Sequence, residues 1–586
     1  MVQELTRLWA LAATAPNDAL TGIQQYLAGN PRDPEALRVA AEAHRRLGQK
    51  ELAQRAEIAA IDASKEIPAL LETVRLIGER DFGPASRLAA THLQKYPDDL
   101  NAVTLSAETA IALGLPERAI PMLEGVLARA PSYLLARTLL INALTLVDRL
   151  GDARAVLDPM ARRMPDAIRV QELMAKIAAN QSDFAAAIEA SAAVTHLNPS
   201  SAEAWVNHGD NLRFGGRKND AVAAYRTALA AEPDHGRSWW SLADIDANLL
   251  EDSDFTEIRR ALQNHADDPE HLCNLQFALG AAEDARGNHA QAFSHFSRGN
   301  AARHSVEPID DDAVPRQVDM YLDEVTADSI PRLAEPVSNQ PTPIFIIGMP
   351  RSGSTLVERV LGRHSQIRAL GELPIVPHMV ERMKRDAADS KVEQLISSLT
   401  KDQLVQMGQW YVVRAAELMK KQPQQPYFTD KMHMNWRHLP LILRMLPQAR
   451  IIDVRRGAMD CCWSNYRTLF ARGHPSANDL SGIGKFYQNY VRLTDGLRDR
   501  APTRIHLVRY EELIEDFDGG LRRLFADLDL DFEPQVADFH LSQGPVATAS
   551  SEQVRQPLNR KGIGAWRPYS QWLGPMKEAL GDYAND

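Results

Sequence analysis

Apolar and polar positions along this chain follow two different patterns, one in each half. In the first half, alanines and prolines each recur every 34 residues. The alanines are Ala85, Ala119, Ala153, Ala187 and Ala221, and the prolines are Pro97, Pro131, Pro165, Pro199 and Pro233. This interval is typical of helix-turn-helix units that stack on their neighbours, in which a proline ends the second helix. The pattern predicts an α-solenoid over residues 1–304.

After residue 340 the pattern changes to short apolar runs separated by helical stretches. The runs cover residues 344–347, 426–429, 450–454 and 504–508. Alternation of this kind predicts a parallel sheet covered by helices, with ligands at the carboxyl ends of the strands. Between the two patterns, proline and acidic clusters mark a connector. We therefore predict a repeat array at 1–304, a linker at 305–340 and an α/β domain at 341–586.

Composition and charge narrow the classes of function. The formal net charge of −11 argues against a nucleic-acid partner, since proteins that bind the phosphate backbone usually carry a basic surface. Three cysteines cannot form a disulfide framework, and the first residues lack the pattern of a secretory signal. No run reaches the roughly 20 apolar residues of a membrane span. We expect a cytoplasmic protein without a membrane span.

Residues 348–355, Gly-Met-Pro-Arg-Ser-Gly-Ser-Thr, follow an apolar run and precede a helical stretch. A turn that leads into a helix N-terminus aims several backbone N–H groups at one anion. The spacing is close to that of the nucleotide-triphosphatase P-loop, but Ser354 replaces the lysine and Arg351 supplies a cation three residues earlier. The sequence therefore predicts a P-loop-like phosphate site that differs from an ordinary ATP site.

Two further groups follow this turn in order along the chain. Arg456 comes after the apolar run 450–454, and Ser464 stands eight residues later. Near the end of the chain, Arg-Lys-Gly at 560–562 precedes Gly564 and Trp566. With the turn at 348–355, these groups resemble the sulfotransferases that use 3′-phosphoadenosine 5′-phosphosulfate, of the bacterial class joined to tetratricopeptide repeats. The domain of that class is similar to tyrosylprotein sulfotransferases.

The repeat signature strengthens the resemblance. One unit matches the spacings of the tetratricopeptide repeat at Trp205, Gly209, Leu212, Ala221, Tyr225, Ala228 and Pro233. The resemblance thus covers both halves of the chain. Arrays of such repeats form concave grooves that hold peptides or partner subunits. We expect a peptide or protein to bind there, as a partner or as the acceptor. The sequence is also compatible with a homo-oligomer.

The resemblance also implies which residues bind the donor nucleotide, whose product is adenosine 3′,5′-bisphosphate, without a metal. Those for the 5′-phosphosulfate are Arg351, Ser352, Gly353, Ser354 and Thr355. Those for the 3′-phosphate and the last nucleotide element are Arg456, Ser464, Arg560, Lys561 and Gly562. Arginine pairs well with phosphate because its bidentate, charge-assisted hydrogen bonds are strong and geometrically selective.

Three residues are candidates for the transfer step. Arg351 and Lys431 would stabilise the negative charge that develops on the leaving phosphate. Glu372 is placed by the resemblance on the catalytic glutamate of the tyrosylprotein enzymes, and its carboxylate can act as base if partial burial raises its pKa. His433, two residues after Lys431, is the alternative base.

Several functions remain open at this stage. The leading one is transfer of a sulfuryl group to a hydroxyl acceptor, with protein tyrosine, a saccharide or a small molecule as the acceptor. A P-loop kinase or triphosphatase is a second class, with Asp453 as its magnesium ligand. A non-catalytic scaffold whose repeats bind a partner is the third.

Overall fold

A computed structural model describes residues 2–310, 312–336, 340–386, 392–419, 425–470, 474–541 and 558–585 of the chain. The chain divides into two units, Met1–Leu197 and Asn198–Asp586. The first unit consists of helices joined by short turns. They are α1 Val2–Thr14, α2 Pro16–Gly29, α3 Pro34–Arg46, α4 Lys50–Ser64, α5 Pro68–Gly78, α6 Phe82–Lys95, α7 Leu100–Ala112, α8 Pro116–Arg129, α9 Leu134–Leu146, α10 Leu150–Arg163, α11 Ile168–Asn180 and α12 Phe184–Leu197.

The second unit begins with helices of the same kind. They are α13 Ala202–Phe214, α14 Lys218–Ala231, α15 Gly236–Ile245, α16 Asp252–Asn264, α17 Pro269–Ala285, α18 His289–Val306 and α19 Ala313–Glu324. Phe277 of α17 and Phe296 of α18 belong to the same buried cluster as Trp463 and Tyr569 of the following domain. The last repeat helices therefore share an apolar core with that domain.

The small residues of the 34-residue series explain how the helices pair. All five alanines of the series are fully buried, and each lies in the second helix of a pair. Each proline of the series stands two residues beyond the end of such a helix, as Pro97 does after Lys95 ends α6. A buried alanine lets two helices approach closely, and proline lacks the N–H that would continue the helix.

A five-stranded sheet forms the centre of the domain that follows. Its strands are β1 Thr342–Gly348, β2 Ile367–Ala369, β3 Tyr427–Asp430, β4 Arg450–Arg455 and β5 Ile505–Arg509. They are all parallel, in the order β2-β3-β1-β4-β5. In the central pair, Ile347 of β1 lies opposite Asp453 of β4. Four strands coincide with the predicted apolar runs, and β2, of only 3 residues, was missed.

Both faces of the sheet are buried. On β1, Ile344 and Ile346 pack into one apolar cluster, whereas Phe345 and Ile347 pack into another. Side chains alternate between the two faces of a strand, so a continuous apolar run is what a doubly covered strand requires. The first cluster contains residues of the helices after β1 and β5, such as Val357.

The helices of this domain are α20 Ser354–Leu361, α21 Ile375–Asp386, α22 Val392–Ser398, α23 Lys401–Met419, α24 Leu439–Met445, α25 Ala458–Tyr466, α26 Leu480–Arg500, α27 Tyr510–Glu515, α28 Phe517–Asp527 and α29 Gly574–Leu580. The short 3-10 segments of the second unit are Ala247–Leu249, Ala327–Ser329, His433–His438, Pro475–Asn478, Pro534–Leu541, Arg567–Tyr569 and Gly581–Asn585. Within the described residues, none of the helices has the length and apolar character needed to cross a bilayer.

The predicted fold class is confirmed. An α-solenoid of repeats is followed by an α/β domain with a central parallel sheet. The domain boundaries at 304 and 340 stay a prediction.

Candidate active site

The turn between β1 and α20 has a backbone shape that depends on glycine. Gly353 has φ +101°, and a Cβ at this position would lie 2.5 Å from Cδ2 of Tyr510. Gly348 has φ +152°, and a Cβ there would lie 2.5 Å from the carbonyl oxygen of Val454. Arg351 also has a positive φ of 66°. A non-glycine residue rarely adopts this conformation, and such residues cluster at ligand sites.

Predicted residues from three separate parts of the chain meet at this turn. The Nε of Arg351 donates a hydrogen bond to Oγ of Ser464 at 3.3 Å. Arg456 donates to the carbonyl oxygen of Arg351 at 3.1 Å and also to the carbonyl oxygen of Gly562. Burial and the positive charges of Arg456 and Arg467 lower the pKa of Arg351 to about 10. Such a cluster of cations favours a bound anion.

A cavity of about 320 Å³ lies beside these arginines. Of the predicted nucleotide residues, those that line it are Arg351, Gly353, Thr355, Arg456, Ser464, Lys561 and Gly562. Ser352 and Ser354 are buried in the turn, and Arg560 is exposed; none of these three lines the cavity.

Among the lining residues that the sequence reasoning missed are Asp460, Trp463, Arg467 and Tyr510. Asp460 accepts hydrogen bonds from the backbone N–H of Gly564 at 2.6 Å and of Trp566 at 3.3 Å. It thereby fixes the segment around Gly564 and Trp566 against α25. The available signal was the position of Asp460 in the first turn of α25, four residues after Arg456, but an acidic residue is not expected beside an anion site.

Glu372, Lys431 and His433 form a second group. The Nζ of Lys431 donates to Oε1 of Glu372 at 2.5 Å, and Nδ1 of His433 lies 3.7 Å from the same oxygen. Lys431 is buried, whereas the Glu372 side chain is 33% exposed. The backbone N–H of Lys431 also donates to the carbonyl oxygen of Gly371 at 2.9 Å, which ties together the segments after β3 and β2.

The pKa of Glu372 contradicts one sequence-based expectation. Burial acts to raise this pKa, as we expected, but the charges and hydrogen bonds of Lys431 and His433 outweigh it and lower the pKa to about 2. The condition set from the sequence, a pKa raised by partial burial, is therefore not met in the protein without ligand, because the fold places Lys431 at 2.5 Å from the carboxylate.

Two buried carboxyls support the segments on either side of this group. Glu358 of α20 accepts from the backbone N–H of Gly371 at 2.9 Å and from Oγ1 of Thr429 at 3.0 Å, and burial raises its pKa. Asp430 accepts from the hydroxyl of Tyr411 at 2.9 Å, and burial raises its pKa to about 7. These bonds fix the residues immediately before Glu372 and Lys431.

Both groups lie at one edge of the sheet. In a parallel sheet the carboxyl ends of all strands meet at the same edge. The segment after each strand supplies one residue, either to the group of Glu372, Lys431 and His433 or to the wall of the cavity. In sheet order these residues are Glu372 after β2, Lys431 after β3, Arg351 after β1, Arg456 after β4 and Tyr510 after β5.

Asp453, the magnesium ligand required by the kinase alternative, lies inside a different network. It is fully buried in β4, and its carboxylate is paired with Arg455 at 2.7 Å and accepts from the hydroxyl of Tyr490. With its oxygens held by these partners, Asp453 supports α26 against the sheet. This arrangement weakens the kinase alternative.

Comparisons with known proteins agree with these observations. The family model described as the sulfotransferase family matches residues 343–534, and tetratricopeptide-repeat models match residues 110–177 and 206–249. An uncharacterised protein of Aquifex aeolicus (strain VF5) is 31% identical over 275 residues, which is 46% of this chain and 35% of that protein. A Caenorhabditis briggsae protein, provisionally named a protein-tyrosine sulfotransferase, is 25% identical over 245 residues, 39% of this chain and 82% of that protein.

Among solved structures, the sulfotransferase domain from the Synechococcus PCC 7002 olefin synthase is 20% identical, with a TM-score of 0.26. The match covers 40% of this chain and 98% of that domain. The family models, read with the geometry of the sheet edge, lead to one conclusion. The chain joins tetratricopeptide repeats to a sulfotransferase-family domain.

Proposed function

We propose that this protein transfers a sulfuryl group from 3′-phosphoadenosine 5′-phosphosulfate to a hydroxyl group, with a tyrosine in a peptide or protein as the acceptor. The observation that carries the proposal is the sheet edge on which Arg351, Arg456 and the Glu372–Lys431 pair come from neighbouring strand ends. The donor nucleotide carries phosphate groups at two positions, and the arginine cluster beside the cavity matches that charge.

The residues that would hold the donor follow from the cavity. Arg351 and the turn from Gly353 to Thr355 would hold the phosphosulfate end, and Arg456, Ser464 and Lys561 would hold the 3′-phosphate. Because Arg456 is already fixed by the carbonyl oxygens of Arg351 and Gly562, its guanidinium is preorganised.

The donor supplies the sulfuryl group and, as leaving group, adenosine 3′,5′-bisphosphate. In the transfer, a bond forms between the acceptor oxygen and sulfur while the bond from sulfur to the phosphate oxygen breaks. Glu372 takes the proton of the acceptor hydroxyl, and Arg351 and Lys431 stabilise the charge on the departing phosphate. Positioning and electrostatic stabilisation supply most of the effect, by analogy with phosphoryl transfer.

The low pKa of Glu372 gives Lys431 a second role. Without ligand, Lys431 pairs with Glu372 and keeps it a weak base, at a pKa of about 2. When Lys431 turns instead to an anionic oxygen beside it, one of the two groups that lower the pKa of Glu372 is withdrawn, and the pKa rises towards that of a glutamate held by His433 alone. Glu372 then becomes a stronger base only when the site is filled. His433 is the alternative proton acceptor, since its Nδ1 lies 3.7 Å from Oε1 of Glu372.

Tyrosine as the acceptor has support from two sides. The Caenorhabditis briggsae relative carries the name of a protein-tyrosine sulfotransferase. The sequence resemblance also implies that Glu372 and Lys431 correspond to catalytic residues of that class. The repeats supply a surface of the kind that binds peptides and proteins.

We place the protein in the cytoplasm, because its cysteines Cys273, Cys461 and Cys462 are buried free thiols.

The test is transfer from sulfur-labelled donor, without added metal, into a lysate of the source cell and into tyrosine-containing peptides. We expect labelled tyrosine, found by mass spectrometry, and no label with the Glu372→Gln variant. Label on a saccharide or small molecule would contradict tyrosine as the acceptor but support the same transfer reaction. Complete absence of transfer to any acceptor would overturn the proposed function.

A further inference from the structure

One cation of the cavity wall is held by the repeat helices. Arg467 ends α25 and lines the cavity together with Arg351 and Arg456. Its NH1 donates to Oδ2 of Asp284 at 2.6 Å. Asp284 lies in α17, which belongs to the last repeat helices, so the two partners are 183 residues apart in sequence.

Asp284 is itself fixed by a second bond. Its Oδ1 accepts from the hydroxyl of Tyr569, and Nδ1 of His289 lies 3.6 Å from the same oxygen. The ring of Tyr569 packs on Trp463, another residue of the cavity wall, with 4.1 Å between the ring centroids. Asp284 therefore presents one oxygen to Arg467 from a position set by the other.

The helices α17 and α18 contact α25 at further points. Nδ2 of Asn300 donates to the carbonyl oxygen of Tyr466 at 2.9 Å, and the rings of Phe296 and Trp463 lie 6.1 Å apart, edge to face. The ion pair of Asp284 and Arg467 is thus one part of a packed contact. A helix held in this way has little freedom to move its last residues away from the cavity.

Charge explains why Arg467 needs a partner. Arg351, Arg456 and Arg467 line one cavity, and like charges at short range repel each other. The Arg467 side chain is 33% exposed, so without Asp284 it can turn towards water. Arginine carries five N–H donors, so pairing one nitrogen with Asp284 leaves donors for a phosphate oxygen.

We propose that Asp284 is a positioning residue for the nucleotide site, which holds Arg467 at the cavity wall so that Arg467 binds a phosphate group of the ligand. Helices α17 and α18 are thereby coupled to nucleotide affinity. The inference rests on the proposed function, since it takes adenosine 3′,5′-bisphosphate as the ligand.

A double-mutant cycle on the full chain tests the coupling. The measured quantity is the Kd of adenosine 3′,5′-bisphosphate by calorimetry for wild type, Arg467→Gln, Asp284→Asn and the double variant. We expect Arg467→Gln to weaken binding by about tenfold, the usual size for a hydrogen bond to a charged group. Asp284→Asn weakens it in the same direction, and the double variant binds like Arg467→Gln alone. Losses that multiply in the double variant would overturn the inference.

Two further variants separate positioning from packing. Tyr569→Phe removes the bond that sets the position of Asp284 but keeps the ring and the charge of Asp284, and it should weaken binding by less than Asp284→Asn does. Asp284→Glu keeps the negative charge, and it should bind more tightly than Asp284→Asn. Equal losses in Asp284→Glu and Asp284→Asn would assign the effect to helix packing and contradict the inference.

The outcome for wild type separates this inference from the proposed function. Wild-type protein that fails to bind adenosine 3′,5′-bisphosphate contradicts the proposed function. Wild-type protein that binds it while Asp284→Asn binds equally well contradicts only the role of Asp284.

Discussion

Lys431 Nζ lies 2.5 Å from Glu372 Oε1, so the residues that follow two adjacent strands form an ion pair at the edge of the sheet. Lys431 is buried, and a buried ammonium without a partner would be costly. The pair therefore explains how both charges are kept at the site before a ligand binds. It also makes the basicity of Glu372 depend on where Lys431 points.

The proposed role of Glu372 as base predicts a specific loss. Glu372→Gln should lower kcat by about 10²- to 10⁴-fold, the usual contribution of a general base, and leave the Kd of adenosine 3′,5′-bisphosphate unchanged. Glu381→Gln, an exposed glutamate of α21 paired with Lys384, is the matched control and should keep full activity. Wild-type turnover by Glu372→Gln, together with loss in His433→Ala, would transfer the role to His433.

The pKa of Glu372 predicts how activity depends on pH. In the free enzyme the pKa is lowered to about 2, so this carboxylate stays ionised throughout the neutral and mildly acidic range. The profile of kcat/KM should therefore show no acid limb from Glu372 above about pH 4, whereas the profile of kcat should show one at higher pH if Lys431 leaves Glu372 in the complex. Identical acid limbs in the two profiles would contradict the second role of Lys431.

Arg456 should distinguish nucleotides by their 3′-phosphate. Arg456→Gln should weaken the binding of adenosine 3′,5′-bisphosphate by about tenfold or more. It should weaken the binding of adenosine 5′-phosphosulfate by less, because that ligand lacks the 3′-phosphate. Because Arg456 also donates to the carbonyl oxygens of Arg351 and Gly562, some loss is expected for both ligands. Arg522→Gln on α28, where the arginine pairs with Asp518 in solvent, is the control. Equal losses of affinity for both ligands would contradict the binding of the 3′-phosphate by Arg456.

Asp430 makes stability depend on pH around neutrality. Its folded-state pKa is raised to about 7, so its contribution to stability is fully present below the ordinary aspartate pKa and is lost as pH rises through about 7. Asp430→Asn removes this titration. Relative to wild type, the variant should gain unfolding free energy between pH 6 and pH 8, measured by urea denaturation. A difference that does not change with pH would show that Asp430 is ionised in the folded protein.

Sequence patterns were sufficient to predict an element of the fold where a residue type has one structural role in it. The 34-residue series predicted the repeats because each of its five units has a buried alanine and a proline just beyond its second helix. The glycines of the turn after β1 made this turn recognisable in the sequence, and the structure shows that they have positive φ. The short β2 carries no apolar run long enough to register, although Glu372 follows it.

Pairings between distant segments could not be predicted from the sequence. Lys431 and Glu372 are 59 residues apart, and the effect of the lysine on the pKa of the glutamate appears only when both strand ends are in place. The contact of Asp284 with Arg467 joins a repeat helix to the cavity, and no local spacing marks it. Candidate residues could therefore be named from the sequence, whereas their electrostatic coupling required the fold.

The most direct test of the donor assignment is thermal unfolding with adenosine 3′,5′-bisphosphate in the presence of a metal chelator. At a hundredfold excess of ligand over its Kd, we expect stabilisation of about 3 kcal/mol without magnesium. Arg456→Gln should show a smaller shift at the same ligand concentration. The absence of any shift for wild type, or a shift seen only with ATP and magnesium, would contradict the proposal that this protein is a phosphosulfate-dependent sulfotransferase.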